Sequence, residues 1–599
     1  MRHLSHDQRN ATVPAMIVLR WIGRILRGLC LGLGGIVLVL ILAAVVTAWY
    51  FKPGGTTIAA GSMLHLELDH AIVEAPGAGP LGQLLAGRQL TLRDVVTALE
   101  RAKTDNRIDG VVADLSRTTL PFAQLQELRD AVMSFRESGK QTHAFADGYD
   151  NRGYYLASAF ADIWLQPSGD FSVIGLAAEV PFARDLLDRL GVEPRMVRLE
   201  EYKGAMDSLI EREMSPAYRE STKSLLDSLS RQLIDGIATG RSLDAAAVAG
   251  LIDKAPLHAG QAHAAGLVDH PAYWSELRQS LGATTALIKP KAYVAATEKD
   301  TDADHKFAVI YAIGQIVTGG SDLSPFSGEL VVDAKRISAA IRAADRDDTV
   351  QAILLRIDSP GGSYVGSDRI WYAIGQAKKP VIASMGRAAA SGGYFIAAAT
   401  DHIVANPGTL TGSIGVIGGK MVLTKLWDNI DVNWERITTA ENAAIYSANK
   451  DFTPEQWRQF RDQLRHAYDD FVGKVAAGRA IDRSAALALA KGRVWTGSQA
   501  KEKGLVDRLG GFREAVEAAR SLAGIEVSAE VDLVVYPQAD PLDWLDSVLQ
   551  GTATKGTWLQ TLAWLGILPD DLVPAAKALA GQTVSGDPIQ LLAPPIRIR

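Results

Sequence analysis

Ser391 lies in the run Ala388-Ala389-Ala390-Ser391-Gly392-Gly393-Tyr394, between two apolar stretches, PVIASMG (Pro380–Gly386) and FIAAA. The pattern reads as strand, turn and helix. A serine at such a turn holds its hydroxyl at a helix N-terminus, where unpaired backbone N–H groups can stabilise a developing oxyanion. The N–H of Gly392 is the natural first donor. Upstream, QAILLRID (Gln351–Asp358) reads as a buried strand, Ser359-Pro360-Gly361-Gly362 as a turn and Tyr364–Ala377 as a helix. The N–H of Gly362 is a candidate second donor, and the small residues around both turns would let another chain approach the backbone. Each piece alone has a plainer reading: Pro-Gly-Gly commonly only turns the chain, and Ser-Gly-Gly commonly caps a helix.

Other residues compete for the chemistry. Ser359 and Ser363 flank the turn, and Ser413, in Thr411-Gly412-Ser413-Ile414-Gly415, reads as a groove-lining residue together with Gly361 and Gly393. His402 follows Ser391 by 11 residues and reads as a strand-edge residue. No metal-ligand spacing and no phosphate-binding glycine loop is present, so neither a metal nor a cofactor is expected.

The elements that must position these residues occur twice. LRDVVTALERAKTDNRIDGVVADL (Leu92–Leu115) and AKRISAAIRAADRDDTVQAILLRI (Ala334–Ile357) each read as helix, polar turn and buried strand. RGYYLASAFADIWLQP (Arg152–Pro167) matches GGYFIAAATDHIVANP (Gly392–Pro407) without a gap, at an offset of 240 residues that also carries Gly175 onto Gly415. Two α/β repeats are expected, 55–295 and 307–540, joined by a charged linker at 296–306. The tail, 541–599, carries Trp544, Trp558 and Trp564 among leucines and reads as an amphipathic helix followed by Pro- and Gly-rich loops.

The whole chain has 599 residues, too many for one core, and a net charge of −6, which gives no reason to expect nucleic-acid binding. A single cysteine, Cys30, excludes internal disulfides and a cysteine zinc cluster. Gly28–Phe51 is uncharged over 24 residues, and roughly 20 such residues cross a bilayer. Five arginines precede it against one aspartate, which predicts a single-pass anchor (28–51) with residues 1–27 cytoplasmic and the bulk outside.

DSPGG, then MGRAAASGGYFIAAA, then GTLTGSIGV resembles the signal peptide peptidase A family, and more distantly the Clp protease subunit and the crotonase fold. The tandem halves and the anchor match the long Gram-negative form. The resemblance implies two Clp/crotonase-like domains of mixed sheets flanked by helices. It implies Ser391 as nucleophile, Lys203 in EEYKGAMDSL as general base, and the N–H groups of Gly362 and Gly392 as oxyanion donors. It also implies a homo-oligomer, a tetramer in the family, which degrades cleaved signal peptides and other extended apolar peptides at the periplasmic face of the inner membrane.

The repeat offers an independent view of those assignments. At the offset of 240, Ser391 falls on Asn151 and Lys203 on Ala443; at the offset of 242 that carries Leu92 onto Ala334, the Pro-Gly-Gly turn aligns with Thr118-Thr119-Leu120. Each half lacks what the other supplies, the pattern expected of one composite site. Two other readings remain at this level: a crotonase-type acyl-CoA enzyme, which an outward-facing anchored chain disfavours, and an inactive scaffold, which retention of Ser391, Lys203 and both glycines disfavours.

Overall fold

The computed structural model describes residues 58–68, 72–75, 89–282, 284–297, 303–319, 330–526, 529–537 and 589–592. The apolar run Gly28–Phe51 and the three tail tryptophans lie outside them. Among the described residues no helix is long and apolar enough to cross a membrane.

In chain order the first half contains β1 (Ser62–Glu67), α1 (Leu92–Ala102), β2 (Ile108–Asp114), α2 (Phe122–Arg136), β3 (Gln141–Ala146), α3 (Asn151–Ala157), β4 (Asp162–Leu165), β5 (Glu193–Arg198), α4 (Pro216–Arg241), β6 (His270–Pro271) and β7 (Leu287–Ile288). Thr91 starts α1 by accepting from the N–H of Asp94, whose carboxylate accepts in return from the N–H of Thr91. The sheet order is β7-β1-β2-β3-β4-β6, all parallel.

The second half repeats this. It contains β8 (His305–Ile313), β9 (Gln315–Val317), β10 (Val331–Asp333), α5 (Ala334–Arg346), β11 (Val350–Ser359), β12 (Gly361–Ser363), α6 (Tyr364–Gly375), β13 (Val381–Ala390), α7 (Gly392–Ala397), β14 (His402–Ala405), β15 (Leu410–Gly412), β16 (Ile417–Val422), α8 (Pro454–Gly478), β17 (Val494–Thr496), β18 (Arg508–Leu509), α9 (Phe512–Leu522) and β19 (Val531–Tyr536). The parallel series β19-β8-β11-β13-β14-β18 follows the same order as the first sheet. Covered on both faces, these strands read as near-continuous apolar runs, and nine of the ten residues of β11 are buried. Buried polar clasps repeat as well. The hydroxyls of Tyr154 and Tyr394 donate to the carbonyls of Leu267 and Leu505, at 2.6 and 2.9 Å. Asp269 and Asp507 each accept from the backbone of the matching strand, at Ile163 and Ile403.

Both halves lie in one compact unit, and polar groups join them. Gln126 and Glu127 of α2 are buried although polar, because they meet the second half. Gln126 accepts from the N–H of Gly408 at 2.6 Å, and Glu127 from that of Phe512 at 3.1 Å. Arg356, the lone charge in the apolar run of β11, donates to Glu74 at 2.7 Å and to Glu127 at 2.8 Å, both from the first half. Breaking such a buried group by removing one partner costs about 3–5 kcal/mol.

A third sheet crosses the boundary, in the order β10-β9-β12, then Ile589–Leu592, then β16-β5. Gly361 and Gly362, expected as part of a turn, are therefore strand: Gly362 pairs with Ile316 of β9 on one side and with Leu591 on the other.

Candidate active site

The first half delivers Lys203 by strand addition. β5 lies antiparallel on β16, with Arg198 opposite Ile417 and Glu193 opposite Val422. Two further backbone bonds hold the following loop to the second half: Leu199 N to Val416 O at 3.2 Å and Tyr202 N to Lys491 O at 3.0 Å. The stretch around Lys203, Glu200-Glu201-Tyr202-Lys203, is polar in sequence. In the structure Lys203 sits in a turn and is fully buried. Its stem is sheathed by backbone: a Cβ added at Gly415 would stand 3.2 Å from Lys203 Cδ, and one at Gly492 only 2.6 Å from its Cβ.

Ser391 follows β13 and is the N-cap residue of α7, with φ +55° and ψ −114°, backbone angles that a side-chain-bearing residue seldom adopts. Its N–H donates to Gly412 O at 2.8 Å, which fixes the turn. Strain of this kind costs on the order of 1–3 kcal/mol and survives where the surroundings over-determine it.

Lys203 Nζ lies 2.7 Å from Ser391 Oγ, 2.8 Å from the carbonyl oxygen of Ser413 and 3.0 Å from Ser413 Oγ. Burial pushes the lysine well below its ordinary pKa of 10.5. A neutral amine has two N–H donors and one lone pair. The two oxygens of Ser413 take the donors, and the lone pair is left facing the hydroxyl of Ser391. Such a group can accept the serine proton as the oxygen attacks a carbonyl carbon and return it to a leaving amine.

Gly362 and Gly392 run side by side: a Cβ added at Gly392 would be 3.2 Å from Gly362 N. Gly361 lies in the same strand as Gly362 and pairs with Leu592. Gly393 packs on the strand before the turn: a Cβ added there would meet Ser359 O at 2.7 Å. Ser413, read from sequence as a groove residue, is buried and holds the lysine instead. The signal for that role was its place beside Gly412 and Gly415, which carries no hint of a partner in the other half.

The rival residues are occupied or remote. Ser359 Oγ accepts from the N–H of Gly361, and Ser363 Oγ from that of Gly366, capping α6. His402 pairs with Ile382, eight residues along β13 from Ala390, so strand rise alone separates it from Ser391 by about 26 Å. Beside Lys203, Leu187, Ala205, Met206, Leu209 and Ile417 form an apolar wall. No cluster of His, Cys, Asp or Glu able to hold a metal occurs among the described residues.

Residues 134–287 and 373–526, two windows of equal length, each match peptidase family S49, and residues 331–409 match Clp protease. The chain is 32% identical over 553 residues to Protease 4 of Salmonella typhi, covering 88% of this chain and 87% of that one. It is 30% identical over 532 residues to Protease 4 of Haemophilus influenzae, covering 84% of each. It is 30% identical over 478 residues to the chloroplastic serine protease SPPA of Arabidopsis thaliana, covering 78% of this chain and 70% of that one. These matches span both halves, and they set aside the acyl-CoA and scaffold readings. The chain belongs to peptidase family S49 and is a serine peptidase of two tandem Clp-protease-like domains.

Proposed function

We propose that this chain is an endopeptidase that cuts released signal peptides and other extended apolar peptides, with Ser391 as nucleophile and Lys203 as its base. The observation that carries the reading is the buried amine of Lys203, 2.7 Å from Ser391 Oγ. Oγ attacks the peptide carbonyl and its proton passes to Nζ. The N–H groups of Gly362 and Gly392 stabilise the oxyanion, Nζ–H protonates the leaving amine, and water, deprotonated by the same amine, releases the acyl group. The apolar wall beside the lysine suits aliphatic side chains.

The apolar run Gly28–Phe51, with arginines before it, supports an inner-membrane anchor that leaves the catalytic halves on the periplasmic side. Assembly into a homo-oligomer is supported by the second-half counterpart of β5. Residues 433–438 form no strand, and Asp431–Ala440 are all exposed, including Val432, Trp434 and Ile437. An exposed stretch that bears Val432, Trp434 and Ile437, at the position that in the first half adds to a sheet, suits addition to a second copy of this chain.

The test is turnover of a quenched leader peptide, with fluorophosphonate labelling of the same preparation. Label on Ser391, with turnover lost in Ser391→Ala and in Lys203→Ala, is the expected result. Undiminished turnover in either variant would end the proposal.

A further inference from the structure

The strand that leads to Ser391 is interrupted just before it. β13 pairs with β11 in step as far as Ile357 opposite Met385, and the pairing resumes with Ser359 opposite Ala389. One residue of β11, Asp358, therefore faces three of β13, Gly386-Arg387-Ala388, and β13 bulges. At the bulge β13 also changes its other neighbour: Ile382–Met385 lie on β14 and Ala388–Ala390 on β15. A bulge bends its strand, re-aims the side chains that follow and leaves backbone groups without a ladder partner.

Asp358 fills that gap. It is buried, and its Oδ1 accepts from the N–H of Ala388 at 3.2 Å and from Arg387 Nε at 3.3 Å. Threonine hydroxyls take the carbonyls on either side: Thr409 Oγ1 donates to Gly386 O at 2.8 Å, and Thr411 Oγ1 to Ala389 O at 2.7 Å. With the bond from Ser391 N to Gly412 O, the backbone is pinned at Gly386, Ala388, Ala389 and Ser391. Such over-determination is what the positive φ of Ser391 requires. In the other direction, Asp358 belongs to the chain that runs through Pro360 to Gly362.

The first half closes the same place differently. Ser116, the counterpart of Asp358, accepts through Oγ from the N–H of Asp147, the counterpart of Arg387, at 3.0 Å. β2 and β3 pair beside it without a bulge. A carboxylate is one bond longer than a hydroxyl, and Asp358 takes the N–H one residue further along. Burial pushes its carboxyl up, Arg387 pulls it back, and Glu74 adds to the rise. A hydroxyl avoids that cost of desolvation, and the half without a nucleophile has one.

We propose that Asp358 is a positioning residue for the nucleophile: by capturing the N–H of Ala388 it sets the bulge in β13, and with it the placement of Ser391 Oγ against Lys203 Nζ and the N–H of Gly362. The inference rests on the reading of Ser391 as nucleophile. The position needs an acceptor of carboxylate length, not a charge.

The experiment measures kcat and KM on a quenched leader peptide, and the rate of fluorophosphonate labelling, for the full chain and its Asp358→Asn, Asp358→Ala and Asp358→Ser variants, with thermal scans of each. Asp358→Asn keeps the acceptor and should hold kcat within about threefold; Asp358→Ala removes it and should lower kcat about tenfold to a hundredfold with KM unchanged, the effect of a misplaced nucleophile. Labelling should slow by the same factor, because the probe also needs Oγ and the oxyanion donors in register. If Asp358→Ala fails to fold, Asp358→Ser takes its place, since the first half folds around a serine there, and it should lose kcat to the same extent. Parent kcat in Asp358→Ala or Asp358→Ser, a loss carried by KM, or an equal loss in Asp358→Asn overturns the inference. Loss of the fold in both shortened variants overturns it as well, by assigning Asp358 to stability alone. A parent chain that takes no label on Ser391 sinks the nucleophile reading instead.

Discussion

The two halves share sheet order and buried clasps, yet they differ at the turn after the third strand of each sheet. At Ser391 the backbone is forced to φ +55°, and the side chain faces an amine from the other half. At the counterpart, Asn151 is the first residue of α3, capped by Asp150, and neither has positive φ. Its amide closes on the backbone: Nδ2 donates to Gly175 O at 2.7 Å, and Oδ1 accepts from Gly175 N at 3.2 Å. Gly175 is the counterpart of Gly415, the residue that Lys203 passes in the second half. Where one half spends stability on a strained serine and a desolvated buried amine, the other satisfies the same space with two local hydrogen bonds. Strain and desolvation are concentrated where there is chemistry for them to do.

The most severe way to break this asymmetry is at the amine. Lys203→Met should lower kcat/KM by about a thousandfold or more, as loss of a group that acts with the nucleophile does. In the parent, kcat/KM should fall as pH drops through the lowered pKa of Lys203, because protonation fills the lone pair. The same displacement governs stability. Between the lowered pKa and 10.5 the unfolded chain holds a proton that the folded chain does not, so folding strengthens as pH rises through that window. Lys203→Met lacks that dependence. It should therefore melt above the parent at neutral pH, with the gap closing toward pH 10.5 in a series of thermal scans. A variant that melts lower at every pH would mean the lysine is not held neutral.

Next in size is Gly362→Ala. Gly362 has φ +153°, and a Cβ there would stand 2.1 Å from Ile316 O, so the strand must shift. If its N–H holds the oxyanion, kcat should fall by about 10²–10³. Unchanged kcat with intact folding would remove Gly362 from the site.

How legible these features were depends on the range of the forces behind them. The repeat and the elements around Ser391 could be read because buried strands and amphipathic helices need apolar residues at fixed local periods. Lys203 could be reached only through resemblance and the repeat offset. Its neighbourhood is polar in sequence, and its burial comes from Gly415, Gly492 and β16, more than 200 residues away. Arg356 did carry a signal, as one charge inside AILLRI, but its partners Glu74 and Glu127 are about as distant. Pro-Gly-Gly was expected to turn because its residues favour turns; the backbones of β9 and of Ile589–Leu592 on either side make two of its residues strand. The strand Ile589–Leu592 is a four-residue segment, Ile-Gln-Leu-Leu, in a Pro-rich tail, with no periodicity to distinguish it.

Ser413→Ala is a smaller and sharper test, because it separates lining a groove from holding the lysine. Removing Oγ takes away one of two acceptors for the amine and leaves the carbonyl. A buried donor left unpaired costs about 1–3 kcal/mol, which corresponds to roughly a tenfold loss in kcat. The lost acceptor favoured the ammonium form, so the acid limb of the pH profile should move to lower pH. Ser413→Thr keeps Oγ and should retain both. A change confined to KM, with the pH limb unmoved, would restore the groove assignment.

The smallest effect belongs to Asn151. Asn151→Ala removes two hydrogen bonds to Gly175 and should cost about 1–3 kcal/mol of stability, read from denaturant midpoints, with kcat/KM unchanged. Asn151→Ser supplies a hydroxyl at the counterpart of Ser391, yet it should take no fluorophosphonate label in a Ser391→Ala background. The position lacks positive φ. The lysine counterpart is Ala443, and Thr118-Thr119-Leu120 stands in for the glycine turn. A hydroxyl without a neutral base or an oxyanion site has no means of losing its proton at the right moment. Labelling of Asn151→Ser would mean that the serine alone had been the missing part, and that the difference between the halves lies in one side chain rather than in strain, burial and partner together.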